Sequence, residues 1–421
     1  MGVAVLESEL PPVPKLPFRA PLLGFLGGTL ATQVVNSAYH IAQVLLIADL
    51  SGSFGKAAFF AAAETAVHMG GTALAGWPAD KLGPRRLLIL STFSRALCLG
   101  TIPLAWALGR LSIHVAIAAY TVDALIRGMV DTSVHALPLT LSDGERSELD
   151  RLNSRYELVY DLGSAAGPMI LGGLLATHHG MLANVFIAVG FAAAAGIYSL
   201  VPSERRGTGV RVSALGGGTW EGLRLAWAEP SLLVACLGMG LLNLYPLRKL
   251  LTALFAKALL HRAAVVGWVG GAFGLGGALG SALYAWKGSD YSGASWIVGG
   301  SLGATALAVG WVPGAVMPMG LAAFLFGALN VCARLALTRR VQEATPERLA
   351  GGVTAVARFA SNVASVCLKS MVGAAFALGI GARGAFAVVG AGLMVVAGGQ
   401  VWLAVRVGRD EAGDPAAEPA N

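Results

Sequence analysis

Four ionisable side chains recur at intervals of four residues along one apolar stretch: Asp123, Arg127, Asp131 and His135. On a helix this spacing places them on one slowly turning face. Carboxylates and imidazoles can bind and release protons there, and Arg127 can pair with either aspartate. The alternative is a self-neutralised ladder that only packs the helix. Two acids for one arginine leave one carboxylate over, which favours proton chemistry.

The neighbouring apolar stretches of the first half add further acids and histidines. Asp161 lies roughly 14 Å from the start of its stretch by helix rise, whereas Glu157 lies nearer that start and can pair with Arg155 or Arg151. Polar residues of two earlier stretches are His40, Gln43, Glu64 and His68. The residues predicted to couple to protons are therefore Glu64, Asp123, Arg127, Asp131 and Asp161.

The apolar stretches of the second half carry basic side chains and no carboxylate. These are Arg248, Lys249, Arg334, Arg358 and Lys369, accompanied by Asn243, Asn330 and Asn362. Each cation alone can extend its stem and reach a polar surface, Lys249 and Lys369 on one side and Arg334 on the other. The asymmetry nevertheless indicates an anionic group on a bound compound. The residues predicted to bind it are Arg334, Asn330, Asn243, Arg358 and His40.

The composition predicts the class of protein that holds these residues. Hydrophobic residues make up 56% of the 421, and charged residues only 13%, whereas soluble domains carry about 25% charged residues. The 57 glycines are spread through the apolar runs, as in membrane helix bundles whose backbones approach closely. We therefore expect an all-α polytopic membrane protein.

Twelve stretches are long enough to cross a bilayer, which takes about 20 residues. We predict spans at 21–48, 57–79, 87–109, 112–141, 152–177, 181–201, 231–260, 263–286, 293–312, 315–338, 352–380 and 384–406. The polar segment 202–230 separates two six-helix halves, 21–201 and 231–406, and the tails are 1–20 and 407–421. The segments from Glu148 and from Arg348, 200 residues apart, both open a long helix rich in small residues. This weak similarity agrees with two pseudo-symmetric halves.

Basic residues predict the orientation. They concentrate in the tails and in every second loop, including Lys81, Arg85, Arg86, Arg205 and Arg206. Loops rich in Lys and Arg stay on the cytoplasmic side. Both termini should be cytoplasmic, in the inner membrane of a cell. The N-terminal 19 residues have no apolar core typical of a cleaved signal.

The loop after span 2 reads Gly76-Trp77-Pro78-Ala79-Asp80-Lys81-Leu82-Gly83-Pro84-Arg85-Arg86. Its glycine, the acid four residues later, and the following glycine and paired basic residues resemble the loop signature of the major facilitator superfamily. The resemblance implies a gating role for Gly76, Asp80, Gly83, Arg85 and Arg86. Asp80 would accept hydrogen bonds or face a helix N-terminus of the other half, and the arginines can pair with Asp143 or Glu145.

Two further motifs indicate a branch of this superfamily. Arg127-Gly128 resembles its intramembrane arginine, and Gly163, Gly167-Pro168 and Gly172 resemble the glycine–proline motif of drug/proton antiporters, although Leu171 stands where a glycine is usual. The region looks most like the bacterial macrolide and siderophore exporters. The resemblance implies that these four residues pack a kinked helix at the interface between the halves.

The resulting expectation is secondary active export of a small amphipathic or anionic compound in exchange for protons, by rocking of the halves. Uptake or facilitated diffusion of an organic anion, and a transport-inactive sensor or scaffold, remain the alternatives. We expect no enzyme, cofactor, metal or nucleic acid. The expected partners are a small-molecule substrate, protons and the lipid bilayer, and the protein should be monomeric.

Overall fold

The computed structural model describes residues 19–141, 146–177, 180–202, 264–287, 292–310, 314–344 and 350–411, with 224–225, 227–228, 232, 236, 245–254, 256–257 and 262 between them. These residues form thirteen helices. The first half holds α1 (Arg19–Ser51), α2 (Phe54–Leu74), α3 (Gly76–Leu82), α4 (Pro84–Ala107), α5 (Ile113–Leu141), α6 (Arg146–Ala176) and α7 (Gly180–Ser199). The second half holds α8 (Tyr245–Leu254), α9 (Val265–Lys287), α10 (Gly293–Gly310), α11 (Val316–Ala344), α12 (Ala350–Ala377) and α13 (Gly381–Glu411).

Ten of the described helices are long and apolar enough to cross a membrane. The predicted all-α, polytopic fold is therefore confirmed, and α2 and α8 occupy the positions of spans 2 and 7. The predicted residue boundaries of the tails, halves and linker stay a prediction. Helices α6, α11 and α13 extend beyond their predicted ends, because their polar terminal turns escape a search for apolar residues.

The predicted end of span 2 at residue 79 was wrong. Helix α2 ends at Leu74, and the short helix α3 follows. Pro78 has no amide hydrogen to bond the carbonyl of Leu74, and its ring disfavours a continuous helix through the preceding turn. Gly83 then ends α3 with φ +78°, which a residue without Cβ adopts readily. The loop signature is thus a short helix between two spans.

The two halves share one apolar core on one side of the bundle only. We call the side at which α1 begins the near side and the opposite one the far side. A single core cluster joins Ile41, Ile47 and Ala58 of the first half to Leu254 and Val372 of the second. Toward the near side, Leu88 and Leu137 belong to a cluster of first-half residues, and Leu337 and Leu403 to one of second-half residues. The bundle is therefore closed at its far side.

Helices α6 and α9 form the closest backbone contact between the halves. A Cβ added to Gly172 would lie 2.7 Å from Cα of Gly267 and 2.8 Å from the carbonyl oxygen of Ala264. Helices in lipid associate mainly through such close packing, because the lipid tails are as apolar as the side chains. The next residue, Gly173, has no atom within 4 Å of the corresponding position.

These adjacent glycines make a matched test of that contact. We expect Gly172→Ala to lower the melting temperature of the protein in detergent, because overpacking costs about 1–3 kcal/mol. Gly173→Ala should leave it unchanged or raise it slightly, since alanine favours the helix. The measurement is thermal unfolding of both purified variants. Equal melting temperatures would show that α6 and α9 do not meet at Gly172.

Candidate functional site

The most deeply buried charges are Arg95 of α4 and Asp123 of α5. Nε of Arg95 donates to Oδ1 of Asp123 at 2.8 Å, and Nη2 donates to Oδ2 at 3.2 Å. The side chains are 1% and 0% exposed. The guanidinium also donates to Asn36 at 3.2 Å and lies 4.0 Å from the ring centre of Phe191. Both carboxylate oxygens are thus engaged in a dry site, which suits a structural pair better than a proton exchanger.

Arg127 pairs with Glu64 of α2, and not with either aspartate of its own helix. Its Nη2 lies 2.5 Å from Oε1 of Glu64, with side-chain exposures of 7% and 2%. The other terminal nitrogen lies 3.1 Å from Nε2 of His40. The predicted ladder within one helix is replaced by a contact among α1, α2 and α5.

His68 and Asp131 form a second contact between α2 and α5. Nε2 of His68 lies 2.9 Å from Oδ2 of Asp131, and the aspartate side chain remains 43% exposed. Nδ1 of His135 lies 2.7 Å from the backbone carbonyl of Asp131. Asp131 therefore combines a titratable partner with a partly exposed side chain, unlike Asp123 and Glu64.

Close packing of glycines holds α2 and α5 at the separation that these pairs need. A Cβ on Gly71 would overlap the backbone of Leu125, and one on Gly128 would overlap the backbone between Gly71 and Thr72. Any larger residue would push the helices apart. The glycine after Arg127 thus positions the arginine against Glu64.

Lys249 and Lys369 do not extend to a polar surface, so this interpretation was wrong. Lys249 is 3% exposed and Lys369 4%. Nζ of Lys369 donates to Oγ1 of Thr65 at 2.7 Å and to the carbonyl oxygen of Ala61 at 3.3 Å, both on α2. This contact joins the two halves.

Asp161 and Glu157 of α6 also face the second half. The hydroxyl of Ser281 on α9 donates to Oδ2 of Asp161 at 2.9 Å. Nη2 of Arg334 on α11 lies 3.7 Å from Oε2 of Glu157, whose side chain is 43% exposed. The structure thus pairs Glu157 with Arg334 across the halves, where the sequence suggested Arg155 or Arg151.

The loop signature is fixed by Arg85. Its Nε donates to the carbonyl oxygen of Val201 at 2.5 Å, and Nη2 donates to that of Ser199 at 2.9 Å. These carbonyls lie at the C-terminal end of α7, where backbone oxygens lack helical partners. Arg86 is exposed. The side chain of Asp80, like the acids Asp143 and Glu145, lies outside the described part of the chain.

The motif residues of α6 divide between two neighbours. A Cβ on Gly163 would lie 2.9 Å from Cβ of Gln33, and one on Gly167 would overlap the carbonyl oxygen of Val34. Both therefore face α1 in their own half, which corrects the prediction that they face the other half. Pro168 and Gly172 do contact α9 there, through Gly270 and Gly267.

Three of the residues predicted to bind cargo, Asn330, Asn243 and Arg358, provide little information about the position of a cargo site. Asn330 is 7% exposed on α11. Asn243 and the side chains of Arg248 and Arg358 lie outside the described part. Among the described residues, no group of three or more His, Cys, Asp and Glu side chains is placed to hold a metal ion.

No family model matches the chain. The multidrug efflux pump Tap of Mycolicibacterium fortuitum is 31% identical over 279 residues, which cover 63% of this chain and 67% of that protein. The chain belongs to the drug-efflux branch of the major facilitator superfamily. The pump of the same name in Mycobacterium tuberculosis H37Rv is 27% identical over 218 residues, and the chain spans about half of its length (51%).

Solved transporters share the fold of this major facilitator protein. A mutant of a peptide transporter POT superposes with a TM-score of 0.66 at 14% identity, over 91% of this chain and 95% of that one. A bacterial homologue of the human lysosomal transporter Spinster, in an inward-facing and unoccupied conformation, gives 0.66 over 93% and 98%, also at 14% identity. The protein is a multi-pass secondary transporter and not an enzyme.

We expect Asp123→Asn to destabilise this transporter strongly. The variant leaves Arg95 charged in a dry site, which costs about 3–5 kcal/mol. Replacing both partners by apolar residues, as Arg95→Met with Asp123→Leu, should recover most of the melting temperature. Asp131→Asn, at an exposed side chain, serves as the control and should change it little. A stable Asp123→Asn protein would reopen the assignment of Asp123 as a proton site.

Proposed function

We propose that the protein exports amphipathic drug-like compounds across the cytoplasmic membrane in exchange for protons. The similarity to the pump named multidrug efflux pump Tap supports export of such compounds. The pattern of charged residues supports proton exchange, because the acids of the spans lie in one half next to histidines and arginines. The protein would work as a monomer, since one chain contains both halves.

The proposed orientation places the near side in the cytoplasm. The loop signature with Lys81, Arg85 and Arg86 lies on that side, and basic loops remain cytoplasmic. The shared core closes the far side, and separate cores lie toward the near side. The described conformation would therefore face inward, as an exporter must do to load its cargo from the cytoplasm.

Asp131 with His68 is the observation that carries the proton site. An exchanging carboxylate needs a path to solvent and a neighbour that tolerates both charge states. Asp131 is 43% exposed and lies 2.9 Å from His68, whereas Asp123 is fully buried against Arg95. Asp161, bound by the hydroxyl of Ser281, is the second candidate. Glu64 holds Arg127 and is placed to respond to changes at Asp131.

The accessible charges favour cargo with a basic group over an anion. Asp131 and Glu157 each retain 43% side-chain exposure, and the buried ring of Tyr156 lies edge-on to His135 and 6.0 Å from the ring centre of Tyr160. Aromatic rings and carboxylates together suit an amphipathic cation. Arg334, the residue that pointed to an anion, lies beside Glu157. Uptake of an organic anion therefore loses its main support.

Exchange follows if cargo and proton compete for the same carboxylates. Cargo entering from the cytoplasm would displace the proton from Asp131, the halves would rock, and cargo would leave at the far side. A proton from outside would then occupy Asp131 and return the empty carrier. Differential affinity of the two conformations for cargo and proton is what drives such a cycle.

Asp131→Asn should abolish proton-driven export, while exchange of cargo for cargo continues through the carboxylates that remain, Glu157 and Asp161. The amide cannot lose a proton, so the imposed pH gradient has nothing to act on. The assay is accumulation of a fluorescent amphipathic cation such as ethidium in inverted vesicles, with and without an acidic interior. Counterflow of the same dye in proteoliposomes without a gradient is the companion measurement.

Asp161→Asn is the matched control for this assay, because it removes the other deep carboxylate. Full gradient-driven transport in Asp131→Asn, with loss in Asp161→Asn, would transfer the proton site to α6. Full transport in both variants would contradict proton exchange through either residue. Absence of accumulation by the wild type would contradict export itself.

The loop signature generates a separate prediction. Asp80→Asn should slow transport at saturating dye while leaving the dye's dissociation constant nearly unchanged, because α3 lies outside the charged contacts between the spans. Initial rates and equilibrium binding on the same purified protein distinguish the two effects. Wild-type rates in Asp80→Asn would contradict a gating role for this carboxylate.

A further inference from the structure

Lys369 differs from the buried arginines of the bundle. Arg95 contacts Asp123, and Arg127 contacts Glu64. The contacts of the Lys369 ammonium in the described structure are the hydroxyl of Thr65 and the carbonyl of Ala61, which are both neutral. A cation taken out of water and given only neutral acceptors is poorly compensated. Burial of the Lys369 ammonium therefore raises the free energy of the conformation in which α12 packs against α2.

In that conformation the far side is closed. The ammonium of α12 rests on α2 within the surface that we call the far gate, formed by Gly55, Phe59 and Thr65 of α2 with Lys369, Gly373 and Phe376 of α12. A Cβ on Gly55 would lie 3.1 Å from Cβ of Phe376, and one on Gly373 would lie 2.9 Å from the ring of Phe59. Apart from Lys369 and Thr65, the gate is apolar and closely packed.

Glu64 supplies the negative charge that acts on this ammonium. It directly precedes Thr65 and follows Ala61 by about one helical turn, and these are the two residues of α2 that the ammonium contacts. Charges on one turn interact over such distances when they are buried. His40 contacts Arg127, the arginine that pairs with Glu64, with Nε2 at 3.1 Å from the second terminal nitrogen of the arginine. The carboxylate of Asp123, by contrast, is engaged by Arg95 through both oxygens. Glu64 thus contacts Arg127 of α5 and lies on the turn of α2 that Lys369 of α12 contacts.

We propose that Lys369 makes the far gate reversible, because its buried ammonium tolerates closure only while Glu64 carries a negative charge. Closure then depends on the negative charge that Glu64 places beside the buried ammonium, and replacing Glu64 by a neutral residue opens the gate. Lys369 is a positioning residue in this scheme, acting on α2 rather than on cargo. The inference rests on alternating access alone and does not require that protons are the coupling ion.

The scheme predicts the opposite effect of removing Lys369 from that expected if Lys369 only stabilised the closed gate. If Lys369 merely held α12 to α2, its removal would open the gate. Here, Lys369→Met keeps the volume and removes the uncompensated charge, so the gate should close more firmly. Glu64→Gln should open it, because Lys369 then lacks its counter-charge. The double variant should close again, since the ammonium that drives the opening is gone.

The measurement is the distance between spin labels at Lys56→Cys and Leu378→Cys, two exposed positions at the far ends of α2 and α12. The background replaces Cys98, Cys236, Cys332 and Cys367 by alanine. We expect Glu64→Gln to raise the ratio of long to short distances at least about tenfold, since uncompensated buried charges are costly. Lys369→Met should lower that ratio and reduce dye transport by a similar factor, with dye binding retained.

Thr65→Val provides a second test that does not alter Glu64. It removes the nearest acceptor of Lys369, so it should open the gate in the wild type and have no effect with Lys369→Met. Lys287→Met, at the near end of α9, is the control for loss of one lysine and should change neither distance nor transport.

Three results would overturn the proposal. Opening of the gate by Lys369→Met would show that Lys369 only stabilises the closed contact between α12 and α2. Equal opening by Glu64→Gln with and without Lys369 would assign the effect to Arg127. Unchanged distances in Lys369→Met and Thr65→Val would remove Lys369 from gating altogether. If Glu64→Gln does not fold, the Thr65→Val pair of measurements decides alone.

Discussion

Compensation of buried charge is the constraint on which the arrangement of these helices depends. In a water-poor bundle an isolated charge is costly, so each charged side chain selects a neighbour. Arg95 brings α4 to α5 through Asp123, and Arg127 brings α5 to α2 through Glu64. Gly71 and Gly128 then let α2 and α5 approach closely enough for the second pair to form. The order of helices around the centre of the first half follows from these contacts.

The fold could be predicted from the sequence further than the site could. The length of apolar runs predicts spans because the thickness of the hydrocarbon layer sets the length that a helix needs. Among the described helices, the largest errors in the boundaries occur where a proline or polar terminal turns intervene, as at Pro78. The partners of charged residues depend on which helices are neighbours, which a single sequence does not reveal. The spacing predicts that Arg127 pairs with either Asp123 or Asp131, each four residues away, whereas Asp123 pairs with Arg95 on another helix. The signal in the sequence for this pair is Arg95, an arginine in the middle of predicted span 3.

The two main contacts between the halves differ in chemistry. The α6–α9 contact is built on small residues, so that backbone lies against backbone at Gly172 and Gly267, with one hydrogen bond from Ser281 to Asp161. The α2–α12 contact contains a lysine among aromatic and small residues. A contact of small side chains permits the halves to rotate while they remain packed together. A contact that buries a charge gives the open and closed conformations different free energies. The bundle thus separates the surface on which it moves from the residue that senses charge.

Arg85 has a mechanical consequence for the connection between the halves. It binds the carbonyls of Ser199 and Val201, and the polar segment that links the halves follows at once in the chain. Arg85 therefore connects the start of α4, directly after α3, to the residues at which the connecting segment begins. Tension on either one would be transmitted to the other. Changes in the length of the connecting segment should then alter transport through the position of α4.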